Sequence, residues 1–99
     1  MLQISKTIEN TSAAIRLEGR LDTATAPELE NVLKSALDGI TDLTLDFEKL
    51  EYISSAGLRV LLGAQKTMNA QGAMRVAHIN EIVAEIFEVT GFADFLTIV

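Results

Sequence analysis

Two adjacent hydroxyls, Ser54 and Ser55, stand directly before Ala56-Gly57-Leu58-Arg59-Val60-Leu61-Leu62, a run whose apolar spacing reads as a helix. A serine at a helix start can do three things. Its oxygen can accept a backbone N–H that otherwise lacks a partner. It can be esterified with phosphate, because the free amides and the positive dipole end of a helix stabilise a dianion. With a base beside it, it can attack a carbonyl. One cap uses one hydroxyl, so a second serine leaves a hydroxyl spare.

The nucleophile reading is poorly supported. A nucleophile elbow needs Gly-x-Ser-x-Gly, and Ile53 occupies the place of the first glycine in Ile53-Ser54-Ser55-Ala56-Gly57. A Ser-His-Asp triad would have to use His78, the only histidine, which ends a predicted strand. Neither a Gly-x-Gly-x-x-Gly nor a P-loop occurs, so no nucleotide cradle is visible. One histidine and no cysteine give no ordinary zinc ligand set. Asp46 and Glu48 share a strand face, as strand-end charges commonly do. Nothing here calls for a cofactor, and an enzyme is not expected.

The phosphate reading has a stated consequence. Phosphoserine adds roughly −1.5 to −2 charges. On a chain whose formal net charge is −6, that addition at a docking face repels an acidic partner or spoils a tight interface. Gly57, within the first turn, either lets a partner backbone approach or fills a gap where the helix packs on a strand. The sequence leaves both open.

The elements that must position these residues are short and regular. Leu2 and Ile4 alternate with polar residues, and Ala13, Ile15 and Leu17 alternate with Ala14, Arg16 and Glu18. These read as two strands, the second ending at Gly19, joined by a turn at Glu9-Asn10-Thr11. Pro27 fits a first helical turn, so the helix carrying Leu29, Val32, Leu33, Ala36 and Leu37 starts near Thr25 or Ala26, and Gly39 closes it. Leu43, Leu45 and Phe47 mark a third strand, followed by a loop from Glu48 to Ser54 and a helix from about Ser55 to Ala70. Met74 and Val76 mark a fourth strand. Asn80 caps a last helix with Ile82, Val83, Ile86 and Phe87 as its stripe, stopped at Thr90-Gly91. Leu96, Ile98 and Val99 add an edge strand.

The order ββαβαβα predicts one α/β domain over residues 1–99, with a mixed four- to five-stranded sheet and helices mainly on one face. The eight basic residues are dispersed, which argues against nucleic acid. No apolar run is long enough to span a membrane. Met1-Leu2-Gln3-Ile4-Ser5-Lys6 lacks a secretion-signal pattern, so a cytoplasmic protein is expected.

Tyr52-Ile53-Ser54-Ser55-Ala56-Gly57-Leu58-Arg59-Val60-Leu61 resembles the signature of STAS domains, the sulphate-transporter and anti-sigma-factor-antagonist family. Gly19-Arg20-Leu21-Asp22 with Ala26-Pro27 and Leu29 resembles the family's entry into its first helix. Phe87-Glu88-Val89-Thr90-Gly91-Phe92 resembles the ending of its last one. The three pieces lie in register over essentially the whole chain.

In stand-alone bacterial members the serine two places before the motif glycine is phosphorylated, which implies Ser55 here. The resemblance implies an anti-sigma factor antagonist that switches partners. Unphosphorylated, it binds an anti-sigma factor that is also a serine kinase with a histidine-kinase-like ATPase fold. Phosphorylation releases it, and a PP2C-type phosphatase resets it. ATP and metal belong to those partners, and the free protein is expected to be a monomer.

The resemblance also implies a kinase-facing surface of Asp22, Thr23, Ser54, Ala56, Gly57, Leu58 and Arg59. Read from the residues alone, Asp22 is a cap or turn residue, and Arg59 with Lys66 makes a solvated face. Many antagonists carry Asp where this chain has Ser54, which leaves the kinase's identity open and adds a second hydroxyl. Other readings are a non-switching STAS scaffold subunit of a lipid-transport or signalling complex, and a small-ligand or lipid-binding module using the open sheet face.

Overall fold

Ala13, Ile15 and Leu17 are buried while Ala14, Arg16 and Glu18 are exposed, so this strand lies with one face on a core and the other toward solvent. The computed structural model describes residues 2–99. Its elements run β1 (Leu2–Glu9), β2 (Ser12–Leu21), α1 (Ala26–Ala36), β3 (Asp42–Ile53), α2 (Ser55–Gln71), β4 (Ala73–Ala77) and α3 (Glu81–Thr90), with a 3-10 turn at Phe92–Asp94.

The strands form one four-stranded sheet in the order β1-β2-β3-β4. β1 is antiparallel to β2, while β2, β3 and β4 are parallel. Asn10 turns the β1–β2 hairpin with φ 57°, a left-handed conformation that Asn tolerates better than most residues. α1 and α2 cover the parallel strands, and Phe87 of α3 lies against Phe47 of β3 with ring centroids 6.5 Å apart. The opposite face carries Arg16, Asp42, Thr44, Asp46 and Arg75. The mixed sheet with helices mainly on one face is therefore as the sequence predicts.

Two expectations are corrected. Glu48–Ile53 is not a loop; β3 continues through it to Ile53. Arg16 pairs with Asp46 and Glu18 with Lys49, then Gly19 with Leu50 and Arg20 with Tyr52, so β3 takes an extra residue twice. From the first bulge onward its buried residues, Phe47, Leu50 and Ile53, recur every third position, so the strand does not show as an alternation. At the C-terminal end, the expected strand is a single parallel bridge between Ile98 and Val76. The Val76 amide donates to Thr97 at 2.8 Å and the Val99 amide donates to Val76 at 2.9 Å.

Candidate functional site

β2 and β3 run parallel and end side by side, with Leu21 opposite Ile53. Beyond each strand end the chain turns into a helix, which brings the Asp22–Thr25 loop next to the start of α2. The Ser54 amide donates to the Leu21 carbonyl at 2.8 Å and ties the two turns together. Openings at the carboxyl ends of parallel strands are the usual place for function in α/β sheets.

The two serines have different surroundings. Ser54 is the N-cap residue of α2, with φ −96° and ψ 177°. Its side chain makes no cap bond, and its Oγ is buried with no hydrogen-bond partner among the described residues. Ser55, the first residue of the helix, is exposed. The first intrahelical bond runs from the Leu58 amide to the Ser54 carbonyl at 2.9 Å, which leaves the amides of the first turn outside the helical ladder. α1 has Glu28 in its first turn, and α3 has both Glu81 and a capping Asn80. α2 has neither an acid in its first turn nor a side-chain cap, so the helix itself supplies nothing to offset its positive end.

The Asp22 loop is built tightly. The Asp22 carboxylate accepts the Ala24 amide at 3.0 Å and the Thr25 amide at 3.1 Å. Thr25, buried, donates its hydroxyl to the Arg20 carbonyl at 2.8 Å and accepts the Asp22 amide at 2.9 Å. The Thr25 amide is the main cause that holds the Asp22 carboxyl below the ordinary aspartate value; slight burial opposes it, and the Thr25 hydroxyl and Ala24 amide reinforce it. Asp22 thus does the work of a turn residue. Thr25, read from the sequence only as a helix boundary, pins the loop, and its signal is the Asp-x-x-Thr spacing before a proline-started helix.

The residues that the sequence groups around Ser55 divide by exposure. Thr23 and Arg59 are exposed; Asp22, Ser54 and Ala56 are half-buried; Gly57 and Leu58 are buried. A side chain at Gly57 would place its Cβ 2.7 Å from Leu21 Cγ and 2.8 Å from Ile53 Cγ1. Gly57 faces the sheet, so of its two readings the packing gap is the one the geometry carries, and neither it nor Leu58 offers a side chain to a partner. Arg59 and Lys66 are both exposed, as their shared helix face requires.

His78 belongs elsewhere. Its Nδ1 lies 3.0 Å from Asp46 Oδ1, on the open sheet face, and not beside either serine. Burial pushes the Asp46 carboxyl up, but the Glu48 amide, the bond and charge of His78, and the charge of Arg16 together hold it below the ordinary value. Across the same face Arg75 reaches Asp42 at 2.7 Å and Thr44 at 3.0 Å. Among the described residues no His, Cys, Asp and Glu side chains group in threes as metal ligands, and no helix is long and apolar enough to cross a membrane.

Residues 3–99 match the STAS domain family. The chain belongs to that family. It is 30% identical over 97 residues to an anti-sigma-B factor antagonist of Staphylococcus aureus, covering 96% of this chain and 90% of that protein. It is 38% identical over 84 residues to BtrV of Bordetella bronchiseptica, covering 83% of this chain and 72% of BtrV. Among solved structures, the fold is similar to that of the anti-sigma factor antagonist SpoIIAA of Bacillus in both its forms. The unphosphorylated form superposes with a TM-score of 0.76 at 19% identity, over all of this chain and 87% of SpoIIAA. The phosphorylated form gives 0.74 at 20% identity, over all of this chain and 91% of SpoIIAA.

Proposed function

We propose that this STAS domain is a cytoplasmic anti-sigma factor antagonist, without chemistry of its own, whose partner choice is set by phosphorylation of Ser55. Unphosphorylated, it binds an anti-sigma factor that is also a serine kinase with a histidine-kinase-like ATPase fold. Phosphate on Ser55 releases it, and a PP2C-type phosphatase restores it. The partner's contact surface is the exposed end formed by Thr23, Ser55 and Arg59, with Asp22, Ser54 and Ala56 between them.

The observation that carries this reading is the contrast between the serines: Ser55 is exposed on a helix start with no acid or side-chain cap of its own, while Ser54 Oγ is inaccessible. A phosphate there meets free amides and the positive dipole end, so the fold can accept the charge while the exposed surface gains negative charge. The names of the relatives support the sigma-factor output, and the phosphorylated form of SpoIIAA supports the modification. A lipid or small-ligand module using the open sheet face is less well supported, because that face is polar and its charges pair with one another.

Titration calorimetry of the partner kinase with phosphorylated and unphosphorylated protein tests the proposal. A loss of about 100-fold in affinity, ~2.7 kcal/mol, is expected on phosphorylation, with the far-UV circular dichroism unchanged. Equal affinity of the two forms would mean that the phosphate is not the switch.

A further inference from the structure

α3 carries an apolar stripe that the described residues leave largely uncovered. Its buried side is Val83 and Phe87. Ile82 is 57% exposed and Val89 77% exposed, and Ile86 between them is half-buried against the core. With 3.6 residues per turn these three fall within about 60° of arc, so they form one continuous strip and not scattered surface residues. Glu85 borders the strip directly. Glu81 and Glu88 follow on the far side, and the helix has no lysine or arginine. None of these residues belongs to the Asp22–Ser55 end.

We infer that this stripe is a second docking surface, and that its occupant is an amphipathic helix of a protein partner, whose own apolar stripe is bordered by lysine or arginine. The apolar strip supplies area to bury, and the glutamates select the sign of the rim. A second copy of this chain is a poor occupant, because a symmetric contact would set Glu85 near its own equivalent on a chain already at −6. An anionic lipid surface is disfavoured for the same reason, since surface helices that bind such membranes are basic on their polar side.

The test uses the whole protein, labelled with nitrogen-15, and a synthetic amphipathic helix with a leucine stripe bordered by lysine. A matched peptide bordered by glutamate is the control. The lysine peptide is expected to shift the amides of Ile82, Glu85, Ile86 and Val89, with binding weakened by added salt. The double variant Ile82→Ser, Val89→Ser, both at exposed positions, is expected to lose at least about tenfold in affinity. Glu85→Lys is expected to weaken binding severalfold while leaving the amide spectrum of the rest of the fold in place. Absence of shifts, shifts centred on another surface, or equal binding of the glutamate peptide would overturn the proposal. So would a dimer in sedimentation that the double variant dissolves, which would make a second copy the occupant. Co-sedimentation with phosphatidylglycerol vesicles, lost in the double variant, would make it a lipid. Because the phosphate at Ser55 plays no part in this contact, failure here leaves the switch untouched, and failure of the switch leaves the stripe to be judged by these shifts.

Discussion

The Ser54 amide donates to the Leu21 carbonyl at 2.8 Å, and one residue pair earlier Leu21 faces Ile53 across two parallel strands. The same Leu21 side chain fills the space over Gly57 one turn into α2. The end of β2, the end of β3 and the start of α2 are thereby locked into one unit, and Ser55 projects from a rigid edge. A modification there changes charge and shape without needing the backbone to move.

Gly57→Ala tests that lock. Alanine in place of a helical glycine ordinarily gains roughly 1 kcal/mol. Here the new Cβ would meet Leu21 Cγ at 2.7 Å and Ile53 Cγ1 at 2.8 Å, both on fully buried side chains. Overpacking of that kind costs about 1–3 kcal/mol, so the variant is expected to be less stable by about 1–2 kcal/mol in urea unfolding. A stabilised variant would show that the contact relaxes freely.

Ser54→Ala is expected to run against the usual rule for helix caps. Replacing a capping serine costs about 1 kcal/mol where the cap bond exists. Ser54 makes none, and its hydroxyl is buried without a partner among the described residues. Removing it is expected to be neutral or to stabilise by up to ~1 kcal/mol, again read from urea unfolding. A clear loss of stability would mean that the hydroxyl caps α2 in solution.

Acid should loosen the Asp22 loop. The Thr25 amide, assisted by the Thr25 hydroxyl and the Ala24 amide, holds the folded-state pKa of Asp22 below its unfolded value. The stabilisation is therefore complete above the unfolded aspartate value and is lost as pH falls through the folded one. In pH-dependent unfolding, the stability difference between wild type and Asp22→Asn is expected to shrink on acidification. A difference that grows toward low pH would reverse the assigned sign.

Phosphate on Ser55 is expected to engage Arg59. The two positions are four apart on α2, so they are neighbours on one helix face, and both are exposed. A nearby guanidinium favours the dianion and lowers the phosphate's second pKa. Phosphorus-31 titration of the phosphoprotein is expected to show that pKa raised by roughly half a unit in Arg59→Ala. Identical titrations would place Arg59 away from the phosphate.

Most of the sheet is legible in the sequence because Ala13, Ile15 and Leu17, and then Leu43 and Leu45, alternate without interruption. Pro27, Asn80 and Gly91 mark helix ends for equally local reasons; Asn80 accepts the Val83 amide at 2.8 Å, and Gly91 takes φ 80°. The end of β3 is not legible, because two bulges change its burial period and the compensating partner is a distant strand. Nor are Ser54 and Ser55 separable in the sequence: which hydroxyl turns inward depends on how Leu21 and Ile53 seat the helix. The same packing decides Gly57, whose two roles look alike until Leu21 is seen above it.

Intact-mass analysis tests the central claim most directly. Wild type, Ser55→Ala and Ser54→Ala would each be incubated with ATP, magnesium and a soluble extract of the source organism shown to contain active kinases. One phosphate on wild type and on Ser54→Ala, and none on Ser55→Ala, is the predicted result. Phosphate retained on Ser55→Ala but lost from Ser54→Ala would contradict the assignment of the exposed hydroxyl. No phosphate on any of the three would contradict the switch itself and favour a constitutive scaffold.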